Sequence, residues 1–408
     1  MPDGSQHAST MLVSIFGRDQ PDITSSLFRQ LAVFDATILD VEKVRTQTHI
    51  TLCVRIHAPR HGGCAVGELR TALRDWASAR ELHSELTPIG TVNEKTQPGG
   101  HRSHVTLVGP TLSARTTAAV STEISALGGR IDRITPLARR PVTAIEFLVS
   151  GPDVKQLRAG LYGVARSAPA DLAISEAGLS RRARRLVVMD VDSTLIQDEV
   201  IDLFGEYAGC GTQISAITEA AMRGEIDFEE SLRARVALLA GLDASVVDAV
   251  STRVRLTPGA LSLVRTLRRL GYRIGAVSGG FTQVTEYLAW HLGLDFSAAN
   301  TLEIADGKLT GRLIGDIVDR AAKARLLMQY ANEAGIPMAQ TVAIGDGAND
   351  LDMLNAAGLG VAFNAKPLVR KAAPTTLNSP SLDSLLYLLG IPHDEMEVVT
   401  EHRVLQVA

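Results

Sequence analysis

Leu186-Val187-Val188-Met189-Asp190-Val191-Asp192-Ser193-Thr194-Leu195 is the stretch on which the reading of this chain turns. Four consecutive apolar residues suit a strand buried on both faces, as in the middle of a parallel sheet. The run stops abruptly at an aspartate, and open α/β sheets gather their chemistry where such strands end. Side chains two apart on extended backbone point the same way, so Asp190 and Asp192 are expected to face one site. Two carboxylates that close repel, which requires a cation or a shared proton between them.

Two later stretches repeat the pattern of strand followed by polar turn. Tyr272–Val277 runs into Ser278-Gly279-Gly280-Phe281, where a hydroxyl and exposed backbone N–H groups suit a phosphate, although the same residues also suit an ordinary turn. Thr341–Ile344 runs into Gly345-Asp346-Gly347-Ala348-Asn349-Asp350. The glycines allow a sharp turn that presents Asp346; a simple helix cap is the plainer reading of the same residues. Between them lies Asp319-Arg320-Ala321-Ala322-Lys323, in which Lys323 is the candidate point charge for a phosphate.

In this order the motifs resemble those of the haloacid-dehalogenase-like phosphatases, over about half of the chain. There is no GxxxxGK[ST] loop, which disfavours P-loop chemistry. Within that family the chain is similar to the phosphoserine phosphatases. The further residues that carry this are Glu199, Ala221-Met222-Arg223-Gly224, Phe228 and Ser231-Leu232-Arg233-Ala234-Arg235-Val236. The segment from about Val200 to Leu256 looks like that family's helical cap. The resemblance implies a Rossmann-like parallel sheet with an inserted helical cap. It also implies hydrolysis of O-phosphoserine to serine and phosphate through an aspartyl-phosphate, the last step of serine biosynthesis.

The residue roles follow from the same resemblance. Asp190 is the implied nucleophile, and Asp192 the acid and base that protonates the leaving oxygen and then activates water. Mg²⁺ is implied on the Asp190 carboxylate, the Asp192 backbone carbonyl and the Asp346 carboxylate, with Asp350 supporting Lys323 and the metal shell. Ser278, the Gly279 amide, Lys323 and Asn349 are placed on the phosphoryl group. Glu199 is the candidate for the substrate ammonium and Arg235, with its guanidinium fork, for the carboxylate. Met222 and Phe228 would line the cap and exclude water. Arg233 lies two residues from Arg235 and so points to another helix face. Competing readings keep the scaffold but change the substrate to another phosphorylated hydroxy-amino acid or a phosphoprotein, or make the chain a non-catalytic amino-acid sensor or assembly protein.

Ahead of this half, short elements recur twice in the order β-α-β-β-α-β. The first set is expected over 11–95, with strands at Met11–Phe16, Thr37–Arg45, His49–His57 and Leu82–Thr91 and helices at Asp22–Phe34 and Val66–Ala79. The second spans 103–178, and the catalytic domain 185–392, with the cap at about 200–256. The order suggests duplicated ferredoxin-like α+β modules and resembles the ACT regulatory domains, on Gly17-Arg18-Asp19-Gln20-Pro21-Asp22-Ile23 after the first strand. Asp22, and in the second loop Arg115, stand where that family's ligand-approach glycine is expected. Helices are expected to cover one face of each sheet, leaving the other face and the edges for pairing, so a homodimer through these units is expected.

The composition sets outer bounds. At 408 residues the chain suits two or three domains, and 45% hydrophobic content excludes a mostly disordered one. A net charge of −4, from 41 basic and 45 acidic residues, argues against a dedicated nucleic-acid binder. Cys53, Cys64 and Cys210 form no CxxC pair, which fits a reducing compartment. No run reaches membrane-spanning length, and the polar Met1–Thr10 is not a secretory signal, so the expected location is cytoplasmic, with Met11 a second candidate start. Lys95–Arg102 reads as a linker, Ser180–Arg185 as a solvated strand entry and Leu382–Leu389 as a closing amphipathic helix. His291 is read as structural, Glu229-Glu230 as helix surface, and the tail after Pro392 as loosely held.

Overall fold

The computed structural model describes residues 10–57, 62–89, 101–178 and 185–397, and it divides into two units, Met1–Gly99 and Gly100–Ala408. The side chains of residues 62–65 and 222 fall outside the description, as do the expected N-terminal leader, most of the linker and most of the tail.

In the first unit, β1 (Thr10–Arg18), β2 (Thr37–Thr46), β3 (His49–His57) and β4 (Leu82–Pro88) form an antiparallel sheet in the order β2-β3-β1-β4. Helices Ile23–Val33 and Gly62–Ser78 connect them. Alternation decides the faces: Met11, Val13 and Ile15 of β1 and Ile50, Leu52, Val54 and Ile56 of β3 are buried, against Leu27, Leu31, Leu69 and Leu73 of the helices. The Trp76 indole N–H donates to Ser26 Oγ at 2.9 Å and ties the two helices together. Every residue of β2, at the sheet's edge, is exposed.

The second unit begins with the same arrangement. β5 (His101–Gly109), β6 (Arg130–Ala138), β7 (Thr143–Gly151) and β8 (Asp171–Glu176) pair in the order β6-β7-β5-β8, with helices Ala114–Ala126 and Val154–Ser167. Ser113 caps the first helix through the Thr116 N–H at 3.1 Å, and Asp153 with Gln156 forms a capping box on the second. His101 and Arg102, expected in the linker, already pair with Gly151 and Ser150 as the start of β5.

The catalytic half is an α/β sheet of seven strands: β9 (Leu186–Met189), β10 (Arg273–Phe281), β11 (Phe296–Ala305), β12 (Lys308–Ile314), β13 (Thr341–Gly345), β14 (Leu359–Phe363) and β15 (Thr375–Leu377). Their order is β12-β11-β10-β9-β13-β14-β15. β9 is central, parallel to both neighbours, and all four of its residues are buried, as its apolar run requires. Met189 lies opposite Ala276 on one side and Ile344 on the other, so the turns after β9, β10 and β13 converge. Four helices, Val200–Ala208, Gly211–Met222, Phe228–Ala237 and Ser245–Arg253, form the cap between β9 and β10. Among the described residues no helix is long and apolar enough to cross a membrane.

Three expectations are corrected here. The face of the second small sheet opposite its helices is not left free: Val108, Ala144 and Ala173 share one apolar core with Leu385, Leu386, Tyr387 and Leu388 of the catalytic half. For the same reason Leu382–Leu389 is not amphipathic. It is a 3-10 turn followed by a short helix, Leu385–Leu388, all four of whose residues are buried because the small sheet covers the face that would otherwise meet water. Arg185, expected to be solvated, is 2% exposed, with its guanidinium 5.5 Å above the Tyr272 ring; the rest of that basic run lies outside the described residues.

Candidate active site

Asp190 leaves β9 where β10 and β13 flank it, and its backbone N–H donates to the Ile344 carbonyl at 2.9 Å. The chain then winds a wide turn over Val191–Leu195, with Ser193 in the left-handed region at φ 56°. The turn interrupts the continuous extended run expected through Asp190 and Asp192, although each of the two has extended backbone, Asp192 with φ −63° and ψ 131°. The turn still brings both to one cleft, because Asp192 is held from two other elements: its Oδ1 accepts from the Val200 N–H at 2.8 Å and its Oδ2 from Ser278 Oγ at 3.1 Å.

Lys323 reaches the same point from the helix Arg320–Glu333, whose start is capped by Asp319 through the Ala322 N–H at 2.7 Å. Its ammonium is 1% exposed and donates to Asp190 Oδ1 and Asp350 Oδ1, each at 2.7 Å. Asp350 also accepts from the Gly347 N–H at 2.9 Å, and Asp346 accepts from Thr194 Oγ1 at 3.2 Å. A side chain at Gly345 would collide with Asp350, so the turn closes this tightly only around a glycine.

Burial sets the electrostatics. It raises Asp190 well above the usual carboxylate range, with Asp350 adding to the shift and Lys323 opposing it. Burial and then Glu199 push Asp192 up to about 7, against the Val200 and Ser278 hydrogen bonds. Asp346 rises to about 6 through burial, Asp350 and Glu199. Burial would lower Lys323, but Asp190 and Asp350 outweigh it and hold the ammonium charged.

The donor set suits a hard divalent cation. Carboxylate oxygens of Asp190, Asp346 and Asp350 lie within 4.8 Å of one another. Both Asp350 oxygens already accept hydrogen bonds, from Lys323 and from the Gly347 N–H, so Asp190 and Asp346 are the side chains that could hold such an ion. All are oxygen donors, as Mg²⁺ prefers, and a cation would relieve the repulsion that raises their proton affinity.

Above these acids opens a cleft of about 500 Å³, whose wall includes Asp190, Asp192, Glu199, Arg235, Gly279 and Asn349. Ser278 and Lys323 stand fully buried behind that wall. Glu199 accepts from Ser193 Oγ at 2.8 Å. Arg235 donates its Nε–H to the Ser231 carbonyl at 3.3 Å, and burial lowers its pKa while Glu199, Asp202 and Asp192 raise it. Phe228 closes over Gly279, whose Cβ position is 3.1 Å from the ring. Arg233 is exposed and paired with Glu229 at 2.7 Å, so the two arginines do point apart. The Met222 side chain lies outside the described residues. His291 bonds the Tyr287 carbonyl at 2.8 Å.

The haloacid dehalogenase-like hydrolase family model matches residues 187–355, and two ACT domain models match residues 9–87 and 101–175. A phosphoserine phosphatase of Streptomyces coelicolor is 58% identical over 388 residues, covering 95% of this chain and 94% of its own. This chain belongs to the phosphoserine phosphatase family. A second member, from Mycobacterium tuberculosis, is 47% identical over 395 residues, 95% of each chain. The crystal structure of a probable phosphoserine phosphatase from Vibrio cholerae, in unliganded form, is 32% identical over 72% of this chain and 88% of its own, with a TM-score of 0.55.

Several residues of this family member's site escape a reading by motif. Asn300, 1% exposed on β11, donates to the Gly279 carbonyl at 2.8 Å and accepts from the Val318 N–H at 2.8 Å, linking the Ser278–Gly280 turn to the segment before Lys323. Its strand belongs to the β11–β12 hairpin, whose signal was Asp306-Gly307; both residues have positive φ, 49° and 72°. The cleft-wall residues Lys366, Leu368 and Val369 carry no comparable signal.

Proposed function

We propose that this chain hydrolyses O-phospho-L-serine to L-serine and phosphate, the last step of serine biosynthesis. The observation that carries the reading is a single cleft with three acids at its floor, a buried lysine behind them, and Glu199 and Arg235 in its wall. Such a cleft offers separate partners for phosphate, ammonium and carboxylate.

Lys323 occupies Asp190 Oδ1, which leaves Oδ2 to attack phosphorus. As the new O–P bond forms, the bond from phosphorus to the serine oxygen breaks, and Asp192 delivers its proton to that oxygen. Burial and Glu199 hold Asp192 at about 7, so it keeps a proton to give. The carboxylate left behind takes a proton from water, whose oxygen attacks the aspartyl-phosphate; phosphate departs and Asp190 is restored. Lys323, the Gly279 amide, Ser278 and Asn349 hold the phosphoryl group, and Asp350 keeps Lys323 in place. Mg²⁺ bound by the Asp190 and Asp346 carboxylates and the Asp192 carbonyl would supply charge neutralisation to the acids and phosphoryl oxygens. Phe228 excludes water above Gly279.

The substrate assignment is tested at Arg235. Arg235→Ala is expected to lower kcat/KM for L-phosphoserine by roughly 100-fold and that for p-nitrophenyl phosphate, which has no amino-acid carboxylate, by less than about threefold. Equal losses for both would remove Arg235 from substrate recognition.

Three wider assignments accompany this one. The division 11–95, 103–178 and 185–392 is supported by the repeated βαββαβ order and the seven-stranded sheet. A homodimer through the ACT-like units is supported by β2, an exposed edge strand that presents Ile38, Leu39, Val41 and Val44. A cytoplasmic location is supported by the free Cys53 and Cys210.

A further inference from the structure

We infer that Asp171, in the second ACT-like unit, is a positioning residue for the substrate cleft. Asp171 opens β8 and is 6% exposed, and its carboxylate is spent on the catalytic half. Oδ1 accepts from Thr376 Oγ1 at 2.9 Å and from Asn378 Nδ2 at 2.6 Å; Oδ2 accepts from the Asn378 backbone N–H at 2.6 Å. Three donors on one buried carboxylate, two of them at short range, make a clamp on the end of β15.

The next residue carries the constraint onward. The Ser379 N–H donates to Asn364 Oδ1 at 3.1 Å and its carbonyl accepts from Asn364 Nδ2 at 2.9 Å, while the Asn364 N–H donates to the Leu377 carbonyl at 3.0 Å. Asn364 has φ 45°, a left-handed conformation that a residue with a side chain rarely holds without help. These three bonds supply that help. The turn at Asn364 sets where the chain leaves β14, and the residues that follow are Ala365, which is buried, and Lys366, which starts the helix Pro367–Ala372. Lys366, Leu368 and Val369 form part of the cleft wall. The position of that wall is thus fixed from a carboxylate outside the catalytic sheet. Displacing β8 would loosen it, and so the second ACT-like unit is part of the cleft's support rather than an appendage to it.

The consequence concerns substrate capture, because the nucleophile and the other acids follow β9 and β13, and Lys323 comes from the helix Arg320–Glu333 instead. It rests on the phosphoserine phosphatase reading for its kinetic readout but not for its structural one. Asp171→Asn keeps the shape and turns one acceptor into a donor facing donors. In the full-length protein, hydrogen exchange at the amides of residues 364–369 is expected to speed up about tenfold, with exchange in β9 unchanged. KM for L-phosphoserine is expected to rise about three- to tenfold, with kcat held within about twofold. Thr376→Val, which removes one of the three bonds, should shift both in the same direction by less, and serves if Asp171→Asn does not fold. Leu386→Ala is the control: it weakens the same interface through its apolar part and should lower Tm with KM unchanged. Unaltered exchange at 364–369 in a folded clamp variant would overturn the inference whatever the activity. So would a rise in KM in Leu386→Ala equal to that in Asp171→Asn.

Discussion

Asp190, Asp192 and Asp346 share one cleft floor, and burial raises the pKa of each. An acid whose folded pKa lies above its unfolded value near 3.8 binds more protons folded than unfolded between the two. Stability of the metal-free protein therefore falls as pH rises through that window, from about 4 up to about 6 for Asp346 and about 7 for Asp192. A cation that favours the ionised forms reverses the loss. Differential scanning calorimetry in EDTA should show Tm falling between about pH 5 and about pH 7.5, and Mg²⁺ should raise Tm more at the higher pH. Asp346→Asn should shrink both effects; a Mg²⁺ shift of equal size in that variant would count against the ligand assignment. These acids were legible because their motifs stand together in one order; alone, the turn at Asp346 reads as a helix cap. Asn300 was not legible, because a polar residue in a strand shows its purpose only once distant segments meet it.

The Ser278–Gly280 turn acts as an element rather than as three residues. Ser278 Oγ accepts from the Gly280 N–H at 2.8 Å and donates to Asp192, so the turn folds on its own hydroxyl and then steadies the acid. A Cβ on Gly280 would lie 2.8 Å from Asp192 Oδ2, closer than real side chains stand, and 3.0 Å from Ser278 Oγ, a tight contact. Gly280→Ala is expected to lower kcat by roughly 10- to 100-fold with Tm nearly unchanged; retained kcat would mean the turn relaxes without moving Asp192. The small-sheet elements were readable to within a few residues because β-strand alternation and helical spacing are local. Leu382–Leu389 was misread for the opposite reason: its second apolar face is matched by Val108, Ala144 and Ala173, more than 200 positions away, and no local period records that. The β11–β12 hairpin was missed although Asp306-Gly307 marked it.

At the scale of the molecule, the two ACT-like units differ in their relation to catalysis. The first forms its own unit with its own core, whereas the second shares a core with the catalytic half. Deleting residues 1–99 should leave a soluble phosphatase with KM little changed. Deleting residues 1–184 uncovers Leu385, Leu386 and Leu388, each worth about 1.5–3 kcal/mol of burial, and should give a protein of markedly lower Tm that associates through that face. Equal Tm for the two fragments, read by thermal denaturation and light scattering, would contradict the shared core. The central chemical claim is that Asp190 attacks the phosphorus of phosphoserine. The direct measurement is phosphate release from L-phosphoserine by the purified chain, with Mg²⁺ or EDTA, beside Asp190→Asn. Release that needs Mg²⁺ and disappears in Asp190→Asn is the predicted result. Release that persists in Asp190→Asn, or its absence from wild-type protein that still cleaves p-nitrophenyl phosphate, would contradict it.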